Sequence, residues 1–176
     1  MMFVGIIFAN VLLMFGMMMT PLLNKYEDDV INNKLAEYQY VLKAMQPTET
    51  EGAEKYLVTS LITDNDREEE ITLYGIGEKS SYVDINIKDG ALISNGYHEK
   101  YGVDKGDTIT LVEKYTGTKH SFKVKGYYNY PAALSVFIPE KEFCAEFNIP
   151  DGAFNGYFSD KEITDIDEKY IATKIT

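Results

Sequence analysis

The first 23 residues contain no charged side chain, and this run limits what the chain can fold into. They read MMFVGIIFANVLLMFGMMMTPLL, and the first charged residue after them is Lys25. A helix of about 20 mostly apolar residues is long enough to cross the hydrocarbon core of a bilayer. The remainder is acidic and has an ordinary globular composition. The pattern therefore predicts a transmembrane helix at 1–23 that carries a water-exposed domain.

Three other structures fit the apolar run less well. A cleaved signal peptide has basic residues before the run and small residues at its cleavage site, whereas this chain has no Lys or Arg there and reads MMMTP at 17–21. An interfacial helix would have a charged face, and a buried core helix is usually shorter. No flank precedes the run, so we expect a piece of a longer protein. The weakly basic segment after it favours an outside location for the rest.

The charge balance of the chain excludes one class of partner. Its 28 acidic and 17 basic residues all follow the apolar run and give a net charge of −11. Such a surface repels nucleic acid and anionic lipid headgroups, so we expect no nucleic-acid partner. A lone cysteine, Cys144, excludes a disulfide framework. Its position between Phe143 and Phe147, without a basic neighbour, favours a buried structural thiol.

The segment 24–46 has the pattern of an amphipathic helix. Apolar residues recur there at steps of about four, with charged residues between them. Pro47 is expected to end this helix, and Pro21 to kink it near the membrane surface. We expect the segment to act as a stalk that couples the membrane to the domain through one apolar face. That face consists of Val30, Leu35, Tyr38 and Leu42.

The remaining residues, 47–176, are predicted to form an extracellular α+β domain dominated by sheet. Runs of β-branched and aromatic residues alternate with turn signals, and two short helical patterns interrupt them. Strands are predicted at 56–62, 70–74, 82–87, 108–115, 121–127, 134–138, 154–158 and 170–175, with a short apolar run at 91–93. Helices are predicted at 95–101 and at 140–147, where Pro139 suits the first position.

The sequence lacks the common motifs of catalysis and cofactor binding. The segment GIGEKS at 75–80 has no Gly before its Lys and cannot cradle a phosphate. The acidic run at 64–70 lacks the glycine of a calcium loop. His98 has no second His at helical spacing, so we predict no zinc helix, and we place His98 and His120 on the surface.

A carboxylate pair leaves one catalytic hypothesis. Asp165 and Asp167 are two residues apart, and an anchored hydrolase could use them. Such pairs are common by chance, and no nucleophile with a base at suitable spacing accompanies them. We therefore predict that the chain is not an enzyme, with no cofactor, no metal site and no catalytic residue.

A set of short motifs between residues 90 and 127 carries a more specific resemblance. A strand ending in Ile-Ser leads to a short helix, a Gly-Val turn, a Gly-Asp turn and a Phe-x-Val-x-Gly strand. The motif residues are Gly90, Ile93, Ser94, Gly102, Gly106, Asp107, Phe122, Val124 and Gly126. Their order and spacing behind a membrane helix resemble the extracytoplasmic domain of FtsX-like (MacB-like) ABC-transporter permeases. The resemblance extends to the apolar run and to 154–167, and so spans nearly the whole chain.

The resemblance implies a function and a set of partners. Such a permease lies in the bacterial cell membrane with this domain outside, and a separate cytoplasmic ABC ATPase subunit hydrolyses ATP. The remaining permease helices or a second permease copy would complete the membrane part. The substrates it implies are lipids, lipoproteins or antimicrobial peptides. The alternative is a self-contained, membrane-anchored, extracellular ligand-binding protein. Neighbouring genomic sequence with further apolar spans and an ATPase gene would favour the permease.

The membrane span generates a direct prediction. Val11→Arg, near the centre of the apolar run, should reduce membrane insertion, because a charge there costs about 3 kcal/mol on insertion scales. Glycosylation mapping of the inserted chain measures the effect. Unchanged insertion would contradict a transmembrane helix at 1–23.

Overall fold

The computed structural model describes residues 2–176, apart from the side chains of residues 2, 3, 29 and 30. The chain divides into two compact units, with the boundary after Asn33. The first unit is one long helix, α1 (Met2–Asn32), which continues through Pro21. Its segment Val4–Asp28 is the one described helix that is long and apolar enough to cross a membrane. A signal sequence would have similar length and composition.

Large apolar side chains point outward on every side of α1. Phe8 and Phe15 are 65% and 63% exposed, and the leucines and methionines of 12–23 are exposed as well. A helix that is apolar all round must be surrounded by lipid or by other protein. The exposure of α1 is therefore what a membrane-spanning helix requires.

The second unit is an α+β domain, as the sequence predicts, and it contains nine strands and two short helices. Its elements in chain order are β1 (Tyr38–Leu42), β2 (Glu54–Thr63), β3 (Glu70–Ile76), β4 (Ala91–Ser94), α2 (Asn95–Tyr101), β5 (Thr108–Val112), β6 (Lys119–Tyr128), β7 (Ser135–Pro139), α3 (Glu140–Glu146), β8 (Gly156–Ser159) and β9 (Ile171–Ile175). A single 3₁₀ turn, Glu168–Tyr170, precedes β9.

Six of these strands form a closed ring of pairings. Strand β3 lies between β2 and β7, β4 lies between β7 and β6, and β5 follows β6. The ring closes where Ile62 and Thr63 of β2 pair with Val112 and Leu111 of β5. Alternate side chains of each strand point inside, because successive residues of a strand face opposite sides. They form the barrel core with residues of α2 and α3, including Tyr97, Phe143 and Cys144.

A flank of three strands continues from the first residues of β2. Residues 54–56 pair with β8, β8 pairs with β1, and β1 pairs with β9. Where β8 stops, the side chain of Asn155 continues the hydrogen bonding: its Nδ2 donates to the Val58 carbonyl at 2.7 Å and its Oδ1 accepts from the Val58 N–H at 2.8 Å. Strands β1 and β9 are antiparallel, with Gln39 opposite Ile175. Strand β2 therefore belongs to both the barrel and the flank.

Stacked aromatic rings fill the space where barrel and flank meet. The ring of Tyr56 stacks on Phe158 with centroids 4.1 Å apart. The Tyr56 hydroxyl donates to the Tyr40 carbonyl at 3.0 Å, and the Tyr74 hydroxyl accepts from Gln39 Nε2 at 3.1 Å. Burial raises the pKa of both tyrosines, so both hydroxyls stay protonated. We call this cluster, which also contains Leu35, the outer core.

The predicted stalk helix at 24–46 is wrong beyond Asn32. Residues Tyr38–Leu42 form β1, and Leu35 is buried in the outer core. The spacing of Tyr38, Tyr40 and Leu42 fits the two-residue period of a strand, and the spacing of Tyr38 and Leu42 also fits a helix. Aromatic and β-branched residues favour a strand here, and β1 gains hydrogen-bonded neighbours on both edges. Val30 lies in α1, and its side chain is outside the described part of the structure.

The predicted strand at 82–87 is also wrong, since no strand forms there. Val83 and Ile85 are buried and pack on the outer core, which accounts for the alternation in the sequence. The backbone is instead tied to a side chain, because Ser80 Oγ accepts from the N–H groups of Tyr82 and Val83 at 3.2 and 3.1 Å. The alternating apolar residues at 82–87 therefore indicate that one face of the segment is buried, although the segment pairs with no strand.

Close packing at Gly156 generates a stability prediction. A Cβ on Gly156 would lie 2.3 Å from Tyr56 Cζ and 2.7 Å from the Tyr40 carbonyl oxygen. Gly156→Ala should therefore destabilise the domain by about 3 kcal/mol, because neither the stacked ring nor the strand can move aside. Chemical denaturation measures the change.

Gly96 in α2 offers the matched control. The nearest atom to a Cβ there is Leu134 Cδ2 at 3.8 Å, so Gly96→Ala should be neutral or stabilising by up to about 1 kcal/mol. Equal stability of the two variants would show that the contact at Gly156 does not constrain the fold.

Candidate functional site

The structure brings the nine motif residues into one continuous unit, which runs from β4 through α2 to β5 and β6. Ser94 caps α2, since its Oγ accepts from the Tyr97 N–H at 3.3 Å and also from the Ser135 N–H at 3.0 Å. Gly102 ends α2 with φ of 62°, and its N–H donates to the His98 carbonyl at 2.8 Å. These two residues set the beginning and the end of the helix.

The turn before β5 is also held by backbone hydrogen bonds, one of them from a glycine with positive φ. Gly106 has φ of 102° and donates its N–H to the Val124 carbonyl at 2.8 Å. Val124 in turn donates to the Asp107 carbonyl at 2.8 Å, and Asp107 Oδ2 accepts from the Asp104 N–H at 2.8 Å. The turn is therefore fixed to β6 by paired hydrogen bonds.

The other motif residues allow β4 and β6 to lie close together. A Cβ on Gly90 would lie 2.6 Å from the Lys123 carbonyl oxygen. A Cβ on Gly126 would lie 3.3 Å from Leu92 Cδ2. Ile93, Phe122 and Val124 are buried in the barrel core. The contacts of the nine motif residues thus support a structural role.

A cleft of about 570 Å³ lies where the chain enters the domain. We call it the entry cleft. It is lined by Lys34, Leu35, Ala36, Glu37, Gly52, Ala53, Glu54, Ser81, Tyr82 and Asp160. Its lining combines an apolar strip with three carboxylates and one ammonium group. The cleft therefore suits a ligand that has an apolar part and a positively charged or hydrogen-bond-donating part.

Hydrogen bonds hold the polar walls of the entry cleft in place. Glu54 accepts from Ser80 Oγ at 2.7 Å and from the Ser81 N–H at 2.7 Å. The Tyr82 hydroxyl donates to the Gly52 carbonyl at 2.9 Å and accepts from the Asp160 N–H at 3.1 Å. Burial, followed by the charge of Asp160, raises the pKa of Tyr82. The walls are thus fixed from both sides of the cleft.

The four predicted stalk residues do not form one helix face. Leu35 lines the entry cleft, while Tyr38 and Leu42 belong to β1. Leu42 is buried with Tyr40 and Tyr157 on the far side of the flank. The prediction that these residues line up on a helix fails because the helix ends before Leu35.

The two carboxylates considered for catalysis serve separate local structures. Asp165 accepts from Thr48 Oγ1 at 2.7 Å and from the Glu49 N–H at 2.6 Å, and the Thr48 hydroxyl is the main cause of its lowered pKa. Asp167 caps the 3₁₀ turn and pairs with Lys169 at 2.7 Å, which lowers its pKa. Their contacts give neither carboxylate a catalytic partner.

The remaining candidates divide between core and surface. Cys144 is buried, and burial raises the pKa of its thiol, as expected for a structural residue. The side chain of His98 is partly exposed and bonds through Nδ1 to the Val103 carbonyl at 2.8 Å. The prediction of a surface position is wrong for His120, which is only 4% exposed. Its partners, Glu113 and Glu146, are distant enough in sequence that no motif connects them.

Among the described residues, no group of three possible ligands could hold a metal ion.

Comparisons with known proteins give a similarity to a solved structure. No protein-family model matches the sequence, and no curated protein matches it either. Among solved structures, the chain is similar to the extracellular domain of the noncanonic ABC-type transporter YknZ from Gram-positive bacteria. Sequence identity is 18% and the TM-score is 0.41, over 68% of this chain and 78% of that chain.

The contacts of Asp165 generate a pH prediction for the loop at 48–50. Because the pKa of Asp165 is lowered in the folded domain, its stabilising effect is present above the unfolded value of about 3.9 and is lost as the pH falls through the lower folded value. Hydrogen exchange of 48–50 should therefore be slow near pH 6 and should accelerate at pH 3, after correction for the chemical exchange rate.

Asp165→Asn should give faster exchange of 48–50 at pH 6, because the amide accepts more weakly than the carboxylate. Asp84→Asn, at an exposed carboxylate in another loop, is the control and should leave 48–50 unchanged. Equal exchange in the wild type and in Asp165→Asn would contradict the anchoring role.

Proposed function

We propose that this chain contains a membrane helix and the extracellular domain of an FtsX-like ABC-transporter permease. In this proposal a separate cytoplasmic ABC ATPase subunit supplies ATP hydrolysis, and further permease helices or a second permease copy complete the membrane part. The resemblance of the ordered motifs between Gly90 and Gly126 supports it, because these residues fold as one unit behind an apolar helix. The domain would sense or handle a lipid, a lipoprotein or an antimicrobial peptide.

One observation carries the coupling part of the proposal. Residues 34–37, which form a wall of the entry cleft, are separated from the end of α1 by Asn33 alone. The chain then passes directly into β1, which is hydrogen-bonded on both edges within the flank. A ligand in the entry cleft would therefore contact the segment that joins the domain to the membrane helix.

The coupling element differs from the one expected from the sequence. A stalk helix would transmit displacement through its fixed length, but the chain ends its helix at Asn32. We propose that the short segment 33–37 and β1 take this role. Burial of Leu35 in the outer core ties this segment to Tyr56 and Tyr74 of the sheet. Ligand-dependent movement of the segment would then reach the membrane helix through a single residue.

An experiment on the intact permease with its ATPase tests the proposal. Reconstituted in nanodiscs, the complex is given a zwitterionic lipid, a diacylated lipopeptide or a cationic antimicrobial peptide, and ATP hydrolysis is measured. One of the three should change the rate. Ser81→Trp should raise the ligand concentration required at least about tenfold, because an indole at the exposed rim fills the entry cleft.

Ser121→Trp, at an exposed position of β6 that lines none of the described clefts, is the matched control. It should respond as the wild type does. Identical responses of both variants would contradict a role for the entry cleft, and failure to copurify any ATPase subunit would contradict the permease.

A second function would use the same cleft without an ATPase. The entry cleft is formed entirely by residues of the domain, which also suits a self-contained, membrane-anchored, extracellular ligand-binding protein. Ligand binding by the chain, blocked by Ser81→Trp and with no associated ATPase, would favour this alternative.

A further inference from the structure

A buried histidine joins two elements that are distant in sequence. His120 on β6 is 4% exposed, and each of its ring nitrogens faces a carboxylate. Nδ1 lies 2.7 Å from Glu146 Oε1 on α3, and Nε2 lies 3.1 Å from Glu113 Oε1, directly after β5. The Phe147 ring packs against the imidazole with centroids 4.5 Å apart. The imidazole thus bridges the β5–β6 hairpin and the end of α3.

The geometry specifies the protonation state of the ring. An ionised carboxylate has no hydrogen to donate, so each ring nitrogen must donate one to form its bond. Glu113 is held ionised, because hydrogen bonds from Thr116 and then His120 lower its pKa. When Glu146 is ionised as well, two bonds from one ring require the positively charged imidazolium, which carries hydrogens on both nitrogens.

Other charged groups near this bridge are engaged elsewhere. Lys119, beside His120 on β6, pairs with Asp64 at 2.6 Å. Glu142, one turn before Glu146 on α3, accepts from the Gly90 N–H at 2.7 Å. The described charged groups that face the ring are therefore Glu113 from the hairpin and Glu146 from α3.

The hairpin that His120 holds is also the wall of a second cleft. This hairpin cleft has a volume of about 410 Å³ and lies between β2 and the hairpin turn. Its lining includes Glu113, Lys114, Tyr115 and Thr116 of the hairpin turn. Tyr115 is 95% exposed, so few packing contacts hold the tip of the turn. The bond from His120 to Glu113 fixes the first residue of this turn to the imidazole, and the bond to Glu146 fixes the imidazole to α3.

We propose that His120 is a proton-dependent clasp that fixes the wall of the hairpin cleft to α3. With the ring charged, both carboxylates are bound and the wall is held. When the ring loses its proton, it can donate to only one carboxylate, and the other faces a lone pair. Both bonds are therefore present at low pH, where the ring is charged, and one of them is lost when a rise in pH removes the proton.

Hydrogen exchange tests the clasp in the full chain in detergent micelles. Exchange of residues 113–118 is measured at pH 6.0 and 8.5 and corrected for the chemical exchange rate. Protection should fall about tenfold at the higher pH, the effect of losing one hydrogen bond to a charged group. His98→Gln, at the other and more exposed histidine, should keep this pH dependence.

Glu113→Gln is the most specific test, because it replaces the carboxylate with an uncharged amide of nearly the same shape. Its amide can donate to the neutral ring and its carbonyl can accept from the charged ring, so both bonds persist in either state. Protection of 113–118 should then be the same at the two pH values. Glu146→Gln makes the same change at the other carboxylate and should also reduce the pH dependence. Equal protection of the wild type at both values, or unchanged pH dependence in both Gln variants, would overturn the proposal.

Discussion

The domain depends on the hydrogen bonding of one long strand, β2. One edge of β2 pairs with β3 from Leu57 to Ile62, while the other edge pairs with β8 at its beginning and with β5 at its end. Between these two pairings the side-chain amide of Asn155 replaces a missing strand neighbour at Val58. Buried backbone groups must find partners, so the barrel and the flank can exist together only while β2 serves both.

Much of this architecture could be predicted from the sequence, because local patterns determine it. Most strands, both short helices of the domain and the apolar helix are where periodicity and turn residues place them. The errors share one cause. At Tyr38–Leu42 and at 82–87 the spacing of apolar residues reports which side chains are buried, but the backbone partner decides between helix, strand and loop. Such partners come from β8, β9 or Ser80 and are distant in sequence or lie in a side chain.

The site was predictable only in part. The motif residues Ser94, Gly102 and Gly106 have turn and capping roles that their residue types suggest. The entry cleft could not be predicted, because it combines residues from four separate segments. One of these segments, 34–37, was expected to be helical. His120 was missed for a related reason: burial between two carboxylates depends on the tertiary approach of α3 to the hairpin. Local chemistry is readable in sequence, whereas convergence of distant side chains requires the fold.

The pairing of β1 with β9 has a mechanical consequence. Gln39, near the start of β1, lies opposite Ile175, near the end of β9, so the first residues of β1 and the last residues of β9 lie side by side. Tension applied through these two ends would load the β1–β9 hydrogen bonds one at a time from that edge, as in opening a zipper. Each bond contributes only about 1 kcal/mol net. The flank could therefore yield to a small force while the closed barrel, which has no free end in this path, keeps its shape.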